Sequence, residues 1–277
     1  VARMASEEPS ILAKLLGSML RTAREVCEFS YDEAAVRAGC EVDWLIRMET
    51  GFALVGPEQV ERLLERYGVR SAKTAEVMID LARRLAEPPP WLARHLGRLR
   101  PRNRDVLLVE AESTLIQTYG VMLIPDLAQC EEYFRWVFPE LEPDRDVDEG
   151  WHLLSSRQNH RPTGGTRRLE VIIHERALTD FGRGTDAMSA QVRHLLELSE
   201  AEDASVRLVP QDVPFCEDMA YPFDVCTFAG TDRLSVSHLP VLGMEIAPAD
   251  LSDIWTWIAG RAATPEESRT ILQPMLH

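Results

Sequence analysis

From Ser10 onward the apolar residues recur with a helical period. Ile11, Leu12, Leu15, Leu16, Met19, Leu20 and Ala23 share one side, while Lys14, Arg21 and Arg24 fall outside it. Ser30 stands three residues before Glu33, the spacing at which each side chain satisfies a free backbone N–H at a helix start. It predicts a short helix from Tyr31 to Ala38, stopped by Gly39. A third helix is expected over Val42–Glu49, ending at Thr50-Gly51. Gly56-Pro57 places a proline at a first helical position and launches Glu58–Tyr67, with Val60, Leu63 and Leu64 on one side. A fifth helix is expected over Ala72–Ala86, before Pro88-Pro89-Pro90. Proline cannot continue a helix and stiffens a linker, so a domain boundary is expected there, with residues 1–90 helical and 91–277 forming a second domain.

Past the prolines the pattern changes. Helices are predicted over Trp91–Leu99, Val106–Tyr119, Leu127–Val137 and Trp151–Asn159. Strand signals then begin: Leu169–Ile173 after the Gly164-Gly165 turn, Val206–Val209 before Pro210, and Phe223–Phe228 with Leu234–His238 flanking Gly230-Thr231-Asp232 as an antiparallel pair. Met188–Leu198 lies between them as an amphipathic helix. The chain ends helically over Pro248–Ala262 and Pro265–Met275, the latter opened by a second capping box, Thr264 with Glu267. The fold class is therefore a mainly α N-terminal domain plus an α+β C-terminal domain.

Composition narrows the function. The 277 residues are 45% hydrophobic and 27% charged, which excludes disordered and low-complexity classes. No apolar run approaches the roughly 18 residues of a membrane span and no signal segment opens the chain, so a cytoplasmic protein with no membrane partner is expected. The five cysteines are scattered, without a CxxC or Cys/His cluster, so neither a zinc site nor a disulfide framework is expected. There is no GxSxG, HExxH or phosphate-loop signature, and Gly182-Arg183-Gly184-Thr185 reads as a turn. No cofactor and no catalytic residue is assigned. The formal charge of −15 divides as −3 in residues 1–90 and −12 beyond, with the acidic stretch Glu140–Glu149 a large contributor.

A short helix, a glycine-bearing turn and a second helix within a helical domain describe a helix-turn-helix. Phe29 through Cys40, continuing Trp44-Leu45-Ile46-Arg47-Met48-Glu49-Thr50-Gly51, resembles the Xre/phage-repressor type. Ala35 and Gly39 match its small residue and turn glycine, Leu16-Gly17 through Arg24 resembles its first helix, and Tyr67-Gly68-Val69 the close of its fourth. The likeness spans residues 11–70. Glu110-Ala111, Pro125-Asp126-Leu127-Ala128-Gln129 to Tyr133, Arg157-Gln158, His174 to Leu178, Gln191 and Val209-Pro210 resemble landmarks of an actinobacterial domain of unknown function that follows such helix-turn-helix domains in regulators.

The first resemblance implies double-stranded DNA as partner, with the recognition helix at the base edges, and a homodimer is expected, its dimerisation assigned to the C-terminal domain. The DNA-contact candidates are Tyr31, Glu41, Asp43, Trp44 and Arg47, joined by Arg94 and Arg98 of the Arg94–Arg104 run. Two acids at the mouth of a recognition helix oppose phosphate binding, and helix N-terminal capping is the plainer reading of both. Phe52, Leu54, Val55 and Trp44 form an apolar patch, expected to be buried against the second domain or a dimer mate, with a protein- or ligand-contact surface as the alternative. The C-terminal domain is expected to recognise a small-molecule or protein effector. Trp136, Trp151, Arg157, Gln158, His174 and Glu175 are its candidate pocket residues, with Arg157 the candidate ion partner of Glu175. The competing expectation is a helix-turn-helix scaffold that has lost DNA binding and works as a small-molecule-binding protein or biosynthetic enzyme.

Overall fold

The computed structural model describes residues 11–95, 97, 99, 101–162, 166–180, 182–228, 233–239 and 243–276. The expected turns at Gly164-Gly165 and Gly230-Thr231-Asp232 lie outside them, as does Arg98. The chain divides into two compact units, Val1–Leu108 and Val109–His277, so the triple proline stands inside the first.

The first unit is built from α1 (Ile11–Val26), α2 (Tyr31–Ala38), α3 (Val42–Glu49), α4 (Pro57–Tyr67) and α5 (Ala72–Ala86). These bounds match those expected from the periodicity. One core gathers Leu16, Leu20, Leu45, Leu64 and Met78 from α1, α3, α4 and α5. Gly17 is what lets α1 reach α3: a Cβ there would stand 2.6 Å from the carbonyl oxygens of both Met48 and Glu49. The expected helix Trp91–Leu99 is only one turn, α6 (Pro90–Ala93), followed by a turn at Arg94-His95.

The junction departs further from the expectation. A helix α7 (Pro101–Glu112) ends where the Ser113 hydroxyl donates to the Val109 carbonyl, and β1 (Leu115–Gly120) follows. The expected single helix Val106–Tyr119 is therefore half helix and half strand. The physical reason is that β1 is central, with β2 (Arg168–His174) on one side and β4 (Phe223–Thr227) on the other. A strand buried on both faces shows no alternation to set it apart from a buried helix.

The second unit is organised on a six-stranded mixed sheet in the order β3-β2-β1-β4-β5-β6, with β3 (Ala204–Val209), β5 (Arg233–Leu239) and β6 (Gly243–Ile246) completing it. β1, β2 and β3 run parallel, and β4, β5 and β6 are joined by antiparallel pairing, so the expected antiparallel pair of β4 with β5 is present. β6 was not expected. The segment expected as a helix over Leu127–Val137 is a single 3-10 turn at Asp126–Ala128 and then α8 (Glu131–Leu141). Next come α9 (Val147–Asn159), α10 (Arg176–Thr179), α11 (Asp186–Leu198), α12 (Ser252–Ala259) and α13 (Pro265–Leu272).

One face of the sheet, through Val171, Ile173, Val206 and Leu208, packs with Tyr133, Val192, Leu195 and Leu272. The other, through Tyr119, Ile172 and Val225, packs with Trp255 and Ile258 of α12. Gln191 is fully buried because it ties elements together: its amide donates to the Ala128 carbonyl and its oxygen accepts from the Cys130 N–H at the start of α8. No helix among the described residues is long and apolar enough to cross a membrane.

Candidate nucleic-acid interface

The α2–turn–α3 geometry follows from a few residues. Ser30 accepts from the Glu33 N–H while the Glu33 carboxylate accepts from the Ser30 N–H, so the expected capping box opens α2. Gly39 closes it at φ +67°, the left-handed region where a Cβ is strained, and its N–H returns to the Ala35 and Val36 carbonyls. Small Ala34 and Ala35 are buried beneath the turn. α3 then starts at Val42.

A buried ion pair braces α3. Arg24 donates from Nε and Nη2 to the two oxygens of Glu49 at 2.7 and 2.9 Å, and from Nη1 to the Phe29 carbonyl at 2.9 Å. Its guanidinium lies 4.0 Å over the Tyr31 ring. Arg24 is thus buried rather than outside the core side of α1, because its whole donor fork is satisfied inside. The Glu49 contact raises the Arg24 pKa, with burial acting against it. One side chain thereby ties α1, the start of α2 and the end of α3.

The DNA-contact candidates separate by exposure. Asp43, Arg47 and the unassigned Ile46 and Thr50 form an exposed strip along α3. Glu41 is exposed at the N-cap position without a side-chain cap hydrogen bond, and Asp43 sits in the first turn, so both acids lie at the positive end of the helix dipole. Trp44 is half-buried beside α4, and Tyr31 is half-buried under Arg24. Arg94 is exposed after α6. The apolar patch divides: Val55 is buried, but Phe52 and Leu54 remain 53% and 63% exposed within the chain. The reason is local, since the Phe52 and Ala53 N–H groups turn back to the Arg47 carbonyl, and Val55 enters the core while Trp44 packs against its edge.

In the second unit the pocket candidates lie in separate places. Trp136 packs on Tyr133, with ring centroids 6.0 Å apart, and Trp151 packs on Phe134 at 5.6 Å. His174 ends β2 buried against Phe215, and burial lowers its pKa, helped by Arg176. Glu175 does not pair with Arg157. It is half-buried and accepts from the Gln211 N–H.

Arg157 instead grips Glu110, with Nη2 at 2.8 Å, and Asp126, with Nη1 at 2.9 Å. Burial opposes its charge, but these two carboxylates more than offset that and raise its pKa. Gln158 donates to the Gln129 and Asp126 carbonyls, holding the same segment. Asp224 of β4 and His238 of β5 pair at 2.7 Å. Burial works against both charges, but the pairing prevails, raising the His238 pKa and lowering that of Asp224. Arg157 and Asp126 also act on His238, so these groups form one electrostatic cluster. No cluster of His, Cys, Asp and Glu suited to a metal ion occurs among the described residues. A cavity of about 310 Å³ in this unit is lined by other residues, including Arg168, Glu170, Arg207 and Trp255.

Residues 103–274 match the family model described as Domain of unknown function (DUF5753). The chain belongs to the DUF5753 family. Residues 15–77 match a helix-turn-helix domain model, and this domain supports a DNA-binding, regulator-like protein. No curated protein and no solved structure matches the chain.

The sequence reading missed parts of both units. In the DUF5753 domain Arg157 was a pocket candidate, Glu110 and Asp126 were named only as landmarks of the resemblance, and Asp224 and His238 were given no site role. Asp224 faces Val236 in the register, so His238 is its diagonal neighbour, a relation invisible until the strands are paired. In the helix-turn-helix domain it missed Gln59, Arg62 and Arg66 of α4, which line a crevice of about 410 Å³ with Glu41 and Trp44. Their i, i+3, i+7 spacing was the available signal.

Proposed function

We propose that the chain is a sequence-specific DNA-binding regulator in which α3 enters the major groove and the DUF5753 domain supplies effector recognition and self-association. The observation that carries the reading is the exposed strip Asp43, Ile46, Arg47 and Thr50 on a helix held by the Arg24–Glu49 pair. Reading base edges needs such a rigid helix with polar side chains outward. Arg47 suits a guanine edge, and Asp43 suits the amino group of cytosine. The mechanism is a population shift, in which an effector that favours one arrangement of two helix-turn-helix units changes operator affinity. The Arg157–Glu110–Asp126 group supports placing effector recognition in the second domain, since the Asp126 side chain is 41% exposed while its partners are buried.

The exposed carboxylates of Glu41 and Asp43 favour a second reading, a scaffold that no longer touches DNA and binds small molecules. Fluorescence anisotropy of the full chain on labelled duplexes at low salt separates the two. Glu41→Ser with Asp43→Ser removes two charges that repel phosphates, so on a mixed-sequence duplex, where no cytosine contact by Asp43 is at stake, the double variant should bind more tightly than the parent. Absence of binding by either protein supports the second reading.

A further inference from the structure

A crevice flanks the recognition helix on one side. Its walls are the turn at Gly39, Glu41 at the N-cap of α3, Trp44 of α3, and Gln59, Arg62 and Arg66 of α4. Its volume is about 410 Å³.

The sequence of α4 sorts its charges around this space. At 100° per residue, Gln59, Arg62, Leu63 and Arg66 fall on one side, and Glu58, Glu61 and Glu65 fall on another. The cations therefore face the crevice while two of the three acids, Glu61 and Glu65, point well away from it. Arg66 is held by donating to the Arg37 carbonyl at the end of α2. The bare turn at Gly39 admits it, since a Cβ there would stand 3.3 Å from Arg66 Nη1. Arg62 is 57% exposed and meets only the outer edge of Glu58, at 3.7 Å. Its planar fork remains available to an incoming anion. Glu41 is the acid that lines the crevice.

The same periodicity fixes where the crevice lies relative to the proposed base-reading strip. Glu41 and Trp44 sit a quarter turn or more from the centre of the strip Asp43, Ile46, Arg47 and Thr50, and Leu45 and Glu49 point to the interior. A helix in a major groove about 12 Å wide has a sugar–phosphate strand along each flank. The crevice occupies one of those flanks.

We infer that this crevice is a seat for the DNA backbone, in which Arg62 and Arg66 take phosphates of one strand, with Gln59 as a neutral donor. The inference rests on the DNA-contact reading above. It supplies the phosphate neutralisation that the acidic start of α3 lacks, from a helix outside the helix-turn-helix pair itself. Guanidinium forks pair with phosphate oxygens through two parallel hydrogen bonds, which orients as well as attracts.

The test is the salt dependence of binding by the full chain to a labelled mixed-sequence duplex. Each of Arg62→Ala and Arg66→Ala should reduce the slope of log affinity against log salt by about 1, whatever the duplex sequence. Arg62→Lys and Arg66→Lys, which keep the charge, should retain the parent slope. Arg70→Ala, an exposed cation just beyond α4 and not lining the crevice, should leave the slope unchanged. Parent-like slopes in both alanine variants would overturn the seat while leaving DNA binding intact. An equal change with Arg70→Ala would also overturn it, by showing a diffuse charge effect. Failure of the parent to bind any duplex would overturn the underlying DNA reading instead. Far-ultraviolet circular dichroism of each variant identifies any loss of fold, and the lysine pair keeps the comparison open in that event.

Discussion

Arg24→Met removes the cation that braces α3 while keeping an unbranched apolar stem beside Tyr31. It leaves the Glu49 carboxylate, whose side chain is fully buried, without the two donors now at 2.7 and 2.9 Å. It also strips the Phe29 carbonyl of a donor at 2.9 Å. Removing one partner of a buried pair costs about 3–5 kcal/mol, most of it the penalty of the orphaned charge. A loss of about 3 kcal/mol corresponds to more than 100-fold in an opening equilibrium. Hydrogen exchange of the full chain, read on peptides from α1 and α3, reports that opening directly. The prediction is a rise of that order in α1 and α3, with α8 and α11 of the other unit unchanged. Arg24→Met combined with Glu49→Leu should recover most of the protection, because no charge is left buried. A single-variant loss below about 1 kcal/mol, the range of surface pairs, would refute the reasoning, as would a double variant as damaged as the single.

Three further outcomes follow from the same structure. Gly17→Ala should lower the stability of the helical unit by about 1–3 kcal/mol, the usual cost of overpacking, because the neighbours are backbone carbonyls that cannot step aside; an unchanged thermal midpoint would contradict the close approach. Ser30→Ala and Thr264→Ala should each cost about 1 kcal/mol in urea titration, since each hydroxyl accepts an N–H at the third residue of its helix. The Asp224–His238 pair should make stability pH-dependent. The raised His238 pKa contributes stability fully below 6.5, lost as pH rises through the folded value, and the lowered Asp224 pKa contributes above 3.8, lost as pH falls through its folded value. His238→Gln should thus lower the melting temperature most between pH 4 and 6.5, and a difference independent of pH would contradict the pairing.

The helical unit was legible because its signals are local. Capping boxes, a turn glycine and a helix-starting proline set boundaries within a few residues of themselves, and α2, α3, α4 and α5 followed them. β1 was not legible, since Leu115–Gly120 becomes a strand through partners more than fifty residues away. Arg24 was placed on the polar side by its chemistry alone, and only Glu49, twenty-five residues on, accounts for its burial. Arg157 was recognised as a site residue but assigned to Glu175, because the reading weighed strand position and had no view of Glu110 and Asp126 converging from α7 and the turn before α8. Glu41, Asp43 and Arg47, named as DNA-contact candidates, are exposed at the start and along the outer side of α3. What α4 adds beside them required the two helices to be packed first.

Selection of bound duplexes from a random library by the full chain tests the central proposal most directly. The account predicts enrichment of a defined motif, with Arg47→Ala relaxing the preference at one position of it. Recovery of no preferred sequence, together with no binding at low salt, would contradict it.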